Sequence, residues 1–368
     1  MYGLFVKRHA EAAALKHHIS VFYVHAVDNL PVTYEIEVKK GFINEYFCYY
    51  KKASSGIKLI NTFINLLRFL RGHLKLWKKI SKPDLIHVHI LTRLGVLAYL
   101  AYRIKHIPYV ITEHWSRYQK GNRGYEGWFR QYLTRLVTRN AAAYTTVTMN
   151  LKQAMDDHRI LNKNHYVLNN VVDTKIFFPA TKPNIHVQKK KFVHVSCFDD
   201  EPKNISGLIN CINELAKRRT DFHLDMVGNG KDFEKMVDKA RELKLLDTFI
   251  FFKGELEGVP LGNMVRNADI LLLFSNYENL PVVINEAFCC GVPVLSTDVG
   301  GIKEVVNESN GKLVAKGDVN DFVNQLEFMM DHPEIYDQKT IHQNATGQFS
   351  NVAVSETLDK IYTAYSFT

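Results

Sequence analysis

Glu278 and Glu286 stand eight positions apart in a stretch that reads as strand, turn and helix. The apolar run Ile270-Leu271-Leu272-Leu273-Phe274 suits a buried strand. A polar turn, Ser275 to Leu280, follows, and a helix is expected from Pro281 toward Gly291-Val292-Pro293. Proline is favoured in a first helical turn, where its missing N–H is not needed. The unpaired amides and dipole of such a helix start attract anions. Glu278 falls at the carboxyl end of a strand, where open α/β sheets bind ligands. Glu286 falls about two turns along the helix. Carboxylates accept hydrogen bonds from vicinal hydroxyls. The expected chemistry is a phosphate at the helix start, with one carboxylate meeting a transferred sugar and the other a ribose. Spacing alone would say little; the strand before and Gly291-Val292-Pro293 after give it meaning.

The elements around this site alternate strand and helix almost throughout, which predicts an α/β fold with parallel sheets. Strands are expected at 19–24, 85–89, 109–112 and 144–147, then at 192–195, 222–227, 249–252, 270–273 and 292–295. Helical periodicity falls at 4–16, 57–80, 92–105, 127–139, 204–218, 231–243, 282–290 and 319–330. Both periodicities break near 176–190, where Phe178-Pro179 and Lys189-Lys190-Lys191 lie. The 368 residues therefore divide into a first domain over 1–175, a linker over 176–190, a second domain over 191–345 and a tail helix over 346–368 that returns to the first domain. Only Met1 and Tyr2 precede Gly3, and a helix pattern begins at once. A doubly wound sheet normally opens with a central strand. The first domain is expected to lack that strand, with the natural chain starting about 10–15 residues upstream.

Charge is uneven. Residues 1–180 carry 27 basic against 11 acidic side chains; the rest carry 20 against 27. A basic first half can face nucleic acid, anionic lipid or a phosphorylated substrate. No nucleic-acid motif appears, and none is expected as a partner. The stretch 58–82 interleaves Lys58, Arg68, Arg71, Lys75, Lys78, Lys79 and Lys82 with Leu59, Phe63, Leu66, Leu67, Leu70, Leu74 and Trp77. Such a helix can lie on an anionic membrane or pack its apolar stripe on a sheet. Five scattered cysteines suggest neither a disulfide framework nor a zinc site. No apolar run is long enough for a membrane span. The cysteine pattern suits a reducing cytosol, so a cytoplasmic protein is expected, with a peripheral place on the inner membrane face as the alternative.

The site stretch resembles glycosyltransferase family 4, whose fold is the two-domain GT-B type. Glu278, Glu286, Ala287, Gly291, Pro293 and Val294 match the family's paired-glutamate signature. Likeness extends through Ser296 to Val306 and Asn310 to Val314, upstream to Met226-Val227-Gly228-Asn229-Gly230, and to Leu168 through Asp173. Pro83 to His89 and Thr112-Glu113-His114 match more loosely. The resemblance implies a retaining transferase that moves a sugar from a nucleotide-activated donor to a glycan or lipid-linked acceptor, typically in polysaccharide assembly. It puts Glu278 beside the donor sugar and Glu286 on the ribose. It puts Asn279, Leu280, Pro281 and Val282 at the distal phosphate, Lys203 on the diphosphate and His114 across the cleft from the sugar. Gly228 and Gly230 would lie on the phosphate side, and Gly3 in the glycine turn beneath phosphates and acceptor. Domain closure would carry His114 toward the sugar and exclude water.

Two positions depart from the family. Phe198 stands where an arginine usually precedes the lysine, and Asn279 stands where a glycine usually follows the first glutamate. No Asp-x-Asp triplet or carboxylate cluster suggests a metal cage, so neither metal nor cofactor is expected. Leaving-group charge would then fall to Lys203 and the helix start. A nucleotide-sugar epimerase, a phosphorylase or a non-catalytic nucleotide-sugar binder can share the fold. A dehydrogenase is disfavoured, since no G-x-G-x-x-G follows a strand.

Overall fold

The computed structural model describes residues 3–91, 93–119, 124–181 and 189–366. Residues 182–188, within the expected linker, lie outside it. The strands are β1 (Ser20–Val27), β2 (Tyr34–Lys39), β3 (Asn44–Lys51), β4 (Ile86–His89), β5 (Tyr109–Glu113), β6 (Ala143–Thr146), β7 (His165–Val167), β8 (Lys190–Val195), β9 (Phe222–Val227), β10 (Ile250–Gly254), β11 (Ile270–Leu273), β12 (Val294–Thr297) and β13 (Gly311–Val314).

The last six form one parallel sheet in the order β10-β9-β8-β11-β12-β13. Every residue of β11 and β12 is buried, as strands covered on both faces must be. Phe192 stacks on Phe222, and Phe274 meets Phe322 edge-on at 4.9 Å in the core. The chain leaves β8 toward β9 on one side and leaves β11 toward β12 on the other. Their loops diverge at the carboxyl ends and open a crevice, the usual binding place in doubly wound sheets. The loop after β8 leads to Lys203, and the loop after β11 carries Glu278.

Among the described residues, the first-half strands fall into two sheets. One is parallel, β4-β5-β6-β7, with β5 and β6 wholly buried. The other is β1-β3-β2, in which β1 runs parallel to β3 and β2 antiparallel to it. β1 and β4 each end their sheet. Met1 and Tyr2 lie outside the described residues.

Helix Asn351–Tyr365 packs on helix Leu4–Ala13 in the first half. Val354, Leu358, Ile361 and Tyr362 share a core with Ala12, Ala13, Val110, Ala143 and Leu168. Tyr362 Oη lies 2.6 Å from His87 Nδ1. The tail helix starts later than position 346, because Ser350 has extended backbone and its hydroxyl accepts from Ala353 N. Residues through Phe349 instead finish the preceding helix, Gln338–Phe349. Where the chain recrosses, Val172 N donates to Phe349 O at 2.8 Å.

Helix Lys58–Trp77 sits on β1 and β3 through Gly72 and Leu76. A Cβ at Gly72 would stand 2.8 Å from Val24, so the helix approaches the sheet closely at that point. Leu59, Phe63, Leu66, Leu67 and Leu74 are exposed, Leu59 at 82%. Among the described residues no helix is long and apolar enough to cross a membrane.

Candidate active site between the two domains

Lys203 ends the short helix Asp200–Lys203, which Asn204 terminates in the left-handed conformation (φ 47°). Lys203 Nζ donates to Glu278 Oε1 at 2.6 Å, and Ser275 Oγ donates to the same oxygen at 2.9 Å. The lysine and the glutamate are largely buried, so each charge depends on the other. Asn276 N donates to Pro202 O, and Asn276 Nδ2 to Glu201 O, stitching the two crevice loops together. Gly300 (φ +60°) lies against the same loop; a Cβ there would come within 2.0 Å of Glu278 O. Gly301 N donates to Asn279 O at 2.7 Å. The Gly300-Gly301 pair thus lets two backbones touch where Glu278 must be held.

Pro281 is the N-cap of helix Val282–Cys289 (φ −62°, ψ 126°) rather than a first-turn residue. It has no N–H, so the helix-start donors are those of Val282 and Val283, with the Leu280 amide just before the cap. One face further, Glu286 Oε1 accepts from Arg8 Nη1 at 3.0 Å. Burial pushes the Glu286 carboxyl up from its ordinary value, and Arg8 opposes that shift. Arg8 comes from the first domain's opening helix and was not read from sequence as a site residue. The available signal was a cation one turn into an amphipathic helix that begins beside the expected glycine turn. Phe198, at the family's arginine position, is fully buried against Phe233 and Phe252, and its ring supplies core rather than charge.

Gly228 (φ +135°) and Gly230 close against the loop that carries Phe198. A Cβ at Gly228 would fall 1.9 Å from Ser196 O, and one at Gly230 would fall 2.6 Å from Phe198 O. Gly3 caps helix Leu4–Ala13 and is exposed; Val6 N donates to its carbonyl at 2.9 Å.

The facing wall is built by Glu113 at the end of β5. Its buried carboxylate accepts from the amides of Leu91, His114 and Trp115 and from Tyr118 Oη, at 2.9–3.2 Å. Those four bonds fix the turn that presents His114 and Trp115. His114 Nε2 lies 3.2 Å from His89 Nδ1, and its ring packs 4.3 Å from Phe5. Burial holds His114 and His89 well below the ordinary histidine pKa, so both are neutral near pH 7. His9, His89 and His114 bring ring nitrogens within 4.8 Å of one another. Both His9 nitrogens already face backbone carbonyls, Phe5 O at 2.8 Å and Asn169 O at 3.0 Å, which leaves His9 poorly placed to ligate an ion.

Asn279 bridges the domains. Its Nδ2 donates to His114 O at 3.0 Å, and its Oδ1 accepts from Thr148 Oγ1 at 3.0 Å. Glu304 accepts from Met149 N and Asn150 N at the start of helix Met149–Asp157, where a carboxylate is favoured. Between the walls lies an open cavity of about 610 Å³ that His114, Trp115, Arg117 and Arg130 line from one side and Glu278, Asn279 and Leu280 from the other. The arrangement offers carboxylates for hydroxyls, a helix start and a lysine for phosphate, and neutral imidazole opposite.

Comparison with known proteins agrees with this geometry. Residues 179–347 match the sequence model of "Glycosyl transferases group 1", and residues 8–176 match that of "Glycosyltransferase Family 4". The chain is 24% identical over 262 residues to the N-acetyl-alpha-D-glucosaminyl L-malate synthase of Bacillus anthracis, covering 69% of this chain and 67% of that one. It is 27% identical over 192 residues to the lipopolysaccharide 1,6-galactosyltransferase of Escherichia coli, about half of each chain (50% and 51%). Among solved structures, sucrose-phosphate synthase from Thermosynechococcus elongatus superposes with a TM-score of 0.77 at 18% identity, covering 98% of this chain and 92% of that one. Anabaena HepE in complex with UDP-glucose gives 0.67 at 17% identity, covering 86% of each. These structural likenesses speak for the fold, the GT-B architecture of two Rossmann-like domains. With both halves matched in order and the paired glutamates set at the crevice, the chain belongs to the group 1 glycosyltransferases of family 4.

Proposed function

We propose that this protein transfers a sugar from a nucleoside-diphosphate sugar to a glycan or lipid-linked acceptor, with retention of configuration and without a divalent metal, in the assembly of a cell-surface polysaccharide. The observation that carries the reading is the Lys203–Glu278 pair at the crevice, with Glu286 behind it and His114 on the opposite wall. Glu278 positions the donor sugar and Glu286 the ribose. The amides of Asn279, Leu280 and Val282 meet the distal phosphate, and Gly228 and Gly230 shape the loop behind it. Gly3, at the start of the helix that bears Arg8, faces the phosphates and acceptor.

Cleaving the bond between sugar and diphosphate leaves negative charge on phosphate and an electron-poor anomeric carbon. Lys203 turns from Glu278 to that phosphate, and the fixed helix-start amides add stabilisation that needs no reorganisation. The acceptor hydroxyl attacks from the face the leaving group departs, passing its proton to the departing phosphate oxygen. His114 closes over the sugar. The UDP-glucose bound to HepE and the galactosyltransferase relative support a nucleotide-sugar donor.

Helix Lys58–Trp77 packs on β1 and β3 through Gly72 and Leu76, and its exposed apolar residues, interleaved in sequence with Lys58, Arg71 and Lys75 and followed by Lys78 and Lys79, suit docking on an anionic bilayer as well. This is where a lipid-linked acceptor would be met, on the cytoplasmic face.

Thermal unfolding with a panel of nucleoside diphosphates and their sugars, in EDTA, tests the donor site. A ligand at a hundred times its dissociation constant should add about 2.7 kcal/mol. Stabilisation by one base, lost in Glu286→Ala, is expected. A well-folded sample that no nucleotide stabilises contradicts the reading.

A further inference from the structure

The cations of the cleft are not used alike. Lys203 is paired with Glu278 and Arg8 with Glu286. On the first-domain wall stand two more, Arg117 and Arg130, and among the described residues neither forms an ion pair. Arg130 Nη1 donates to Gly124 O at 3.0 Å. Arg117 is half-buried, with its guanidinium carbon 3.4 Å from the centre of the Trp115 ring. Stacking on an aromatic face fixes the guanidinium plane and leaves its edge donors free. Trp115 is itself anchored, since its amide is held by Glu113. The carboxylate that lines the cavity, Glu278, is on the second domain and is already matched by Lys203, and the buried carboxylate of Glu113 nearby is taken up by three amides and Tyr118 Oη. Burial lowers the Arg117 pKa from its ordinary value, Tyr118 and Glu113 nearby oppose that shift, and Arg130 adds to it.

A partly desolvated, oriented guanidinium with a second arginine on the same wall is built for an oxyanion. The donor's diphosphate has its own partners in Lys203 and the helix start on the other wall. We infer that Arg117 and Arg130 form an acceptor subsite for an oxyanion, so that the acceptor is an anionic glycan carrying phosphate or carboxylate close to the hydroxyl that receives the sugar. This inference rests on the glycosyl-transfer reading above. Glu278 and His114 line the same cavity, so an acceptor anchored at the arginines presents its hydroxyls toward the donor sugar. Neutral sugars would leave both cations without a partner, which costs affinity.

The test titrates the full chain with glucose 6-phosphate, glucuronate and glucose, following tryptophan fluorescence. Each titration is run with and without the nucleoside diphosphate that stabilises the protein. At least one anionic sugar should bind roughly tenfold or more tightly than glucose, as charge-assisted hydrogen bonds predict. Preference for the phosphate or for the carboxylate names the group the natural acceptor carries. Arg117→Gln should abolish the advantage while leaving nucleotide stabilisation unchanged. Arg130→Gln, at an exposed position, gives the same reading with little risk to folding. Equal binding of charged and neutral sugars overturns the inference, as does an anionic preference that survives both substitutions. Loss of nucleotide stabilisation in Arg117→Gln assigns the arginines to the donor and overturns it too. A nucleotide effect that is absent in the parent chain counts instead against the donor site, and the sugar titrations without nucleotide still decide the acceptor subsite.

Discussion

Arg8 and Glu286 join residues 278 positions apart, one from each domain, and both side chains are largely buried. A buried charge left alone costs far more than a buried pair contributes. Arg8→Ala should therefore destabilise the protein by about 3–5 kcal/mol. Adding Glu286→Gln should recover much of that loss, because the stranded carboxylate is gone. Urea unfolding of the two single variants and the double checks it; additive losses would mean that the pair is not coupled. Glu278 and Glu286 were legible in the sequence because strand, turn, proline and helix surround them in one short stretch. Lys203 was legible by its place between a strand and a helix. Arg8 was not, because its partner lies in the other half and only tertiary folding brings them together. Glu113 was passed over for its neighbour His114, although its carboxylate organises the whole turn.

Buried imidazoles recur on the strands. His87 on β4 bonds Tyr362 and Thr112, and His194 on β8 bonds Leu272 O and Ser196 Oγ. Burial pulls the pKa of His87 down to about 3 and that of His194 to about 4. In the unfolded chain both take up protons below about 6.5. Between 6.5 and 4 the unfolded state holds more protons, so stability falls as pH falls. Each imidazole should cost about 1.4 kcal/mol per pH unit across that window, and nothing above it. Urea midpoints at pH 7.5, 6.5 and 5.5 should show a plateau and then a decline, and His87→Gln should make the decline shallower. An unchanged midpoint at pH 5.5 would contradict this. At the same scale, β8 to β12 are readable because buried strands are rich in apolar residues, whereas the short end strands β7 and β13 are not. β2 and β3 were missed. Tyr34-Glu35-Ile36-Glu37-Val38-Lys39 alternates in period two, and Gly41 lies in the turn to the aromatic-rich β3. That hairpin signal was masked by expecting only parallel strands in this half. The tail helix expected from 346 begins at Asn351, where the capping hydroxyl of Ser350 sets its start.

Across the whole molecule, the excess of basic residues in the first half and the bare apolar side of helix Lys58–Trp77 point the same way. Each lysine or arginine near an anionic surface contributes about 1 kcal/mol. Co-sedimentation with vesicles containing phosphatidylserine should fall steeply as salt rises, and Lys75→Glu with Lys79→Glu should weaken it by more than tenfold. Equal binding to neutral vesicles, or binding indifferent to salt, would count against electrostatic attachment.

The chain crosses between domains twice, and the crossings are not independent. Val172 bonds Phe349 and lies in a parallel bridge with Ser350, so the outgoing and returning segments are tied side by side at that point. Any opening of the cleft must therefore carry both crossings together, and it must break the contacts that Asn279, Glu304 and Arg8 make across the cleft.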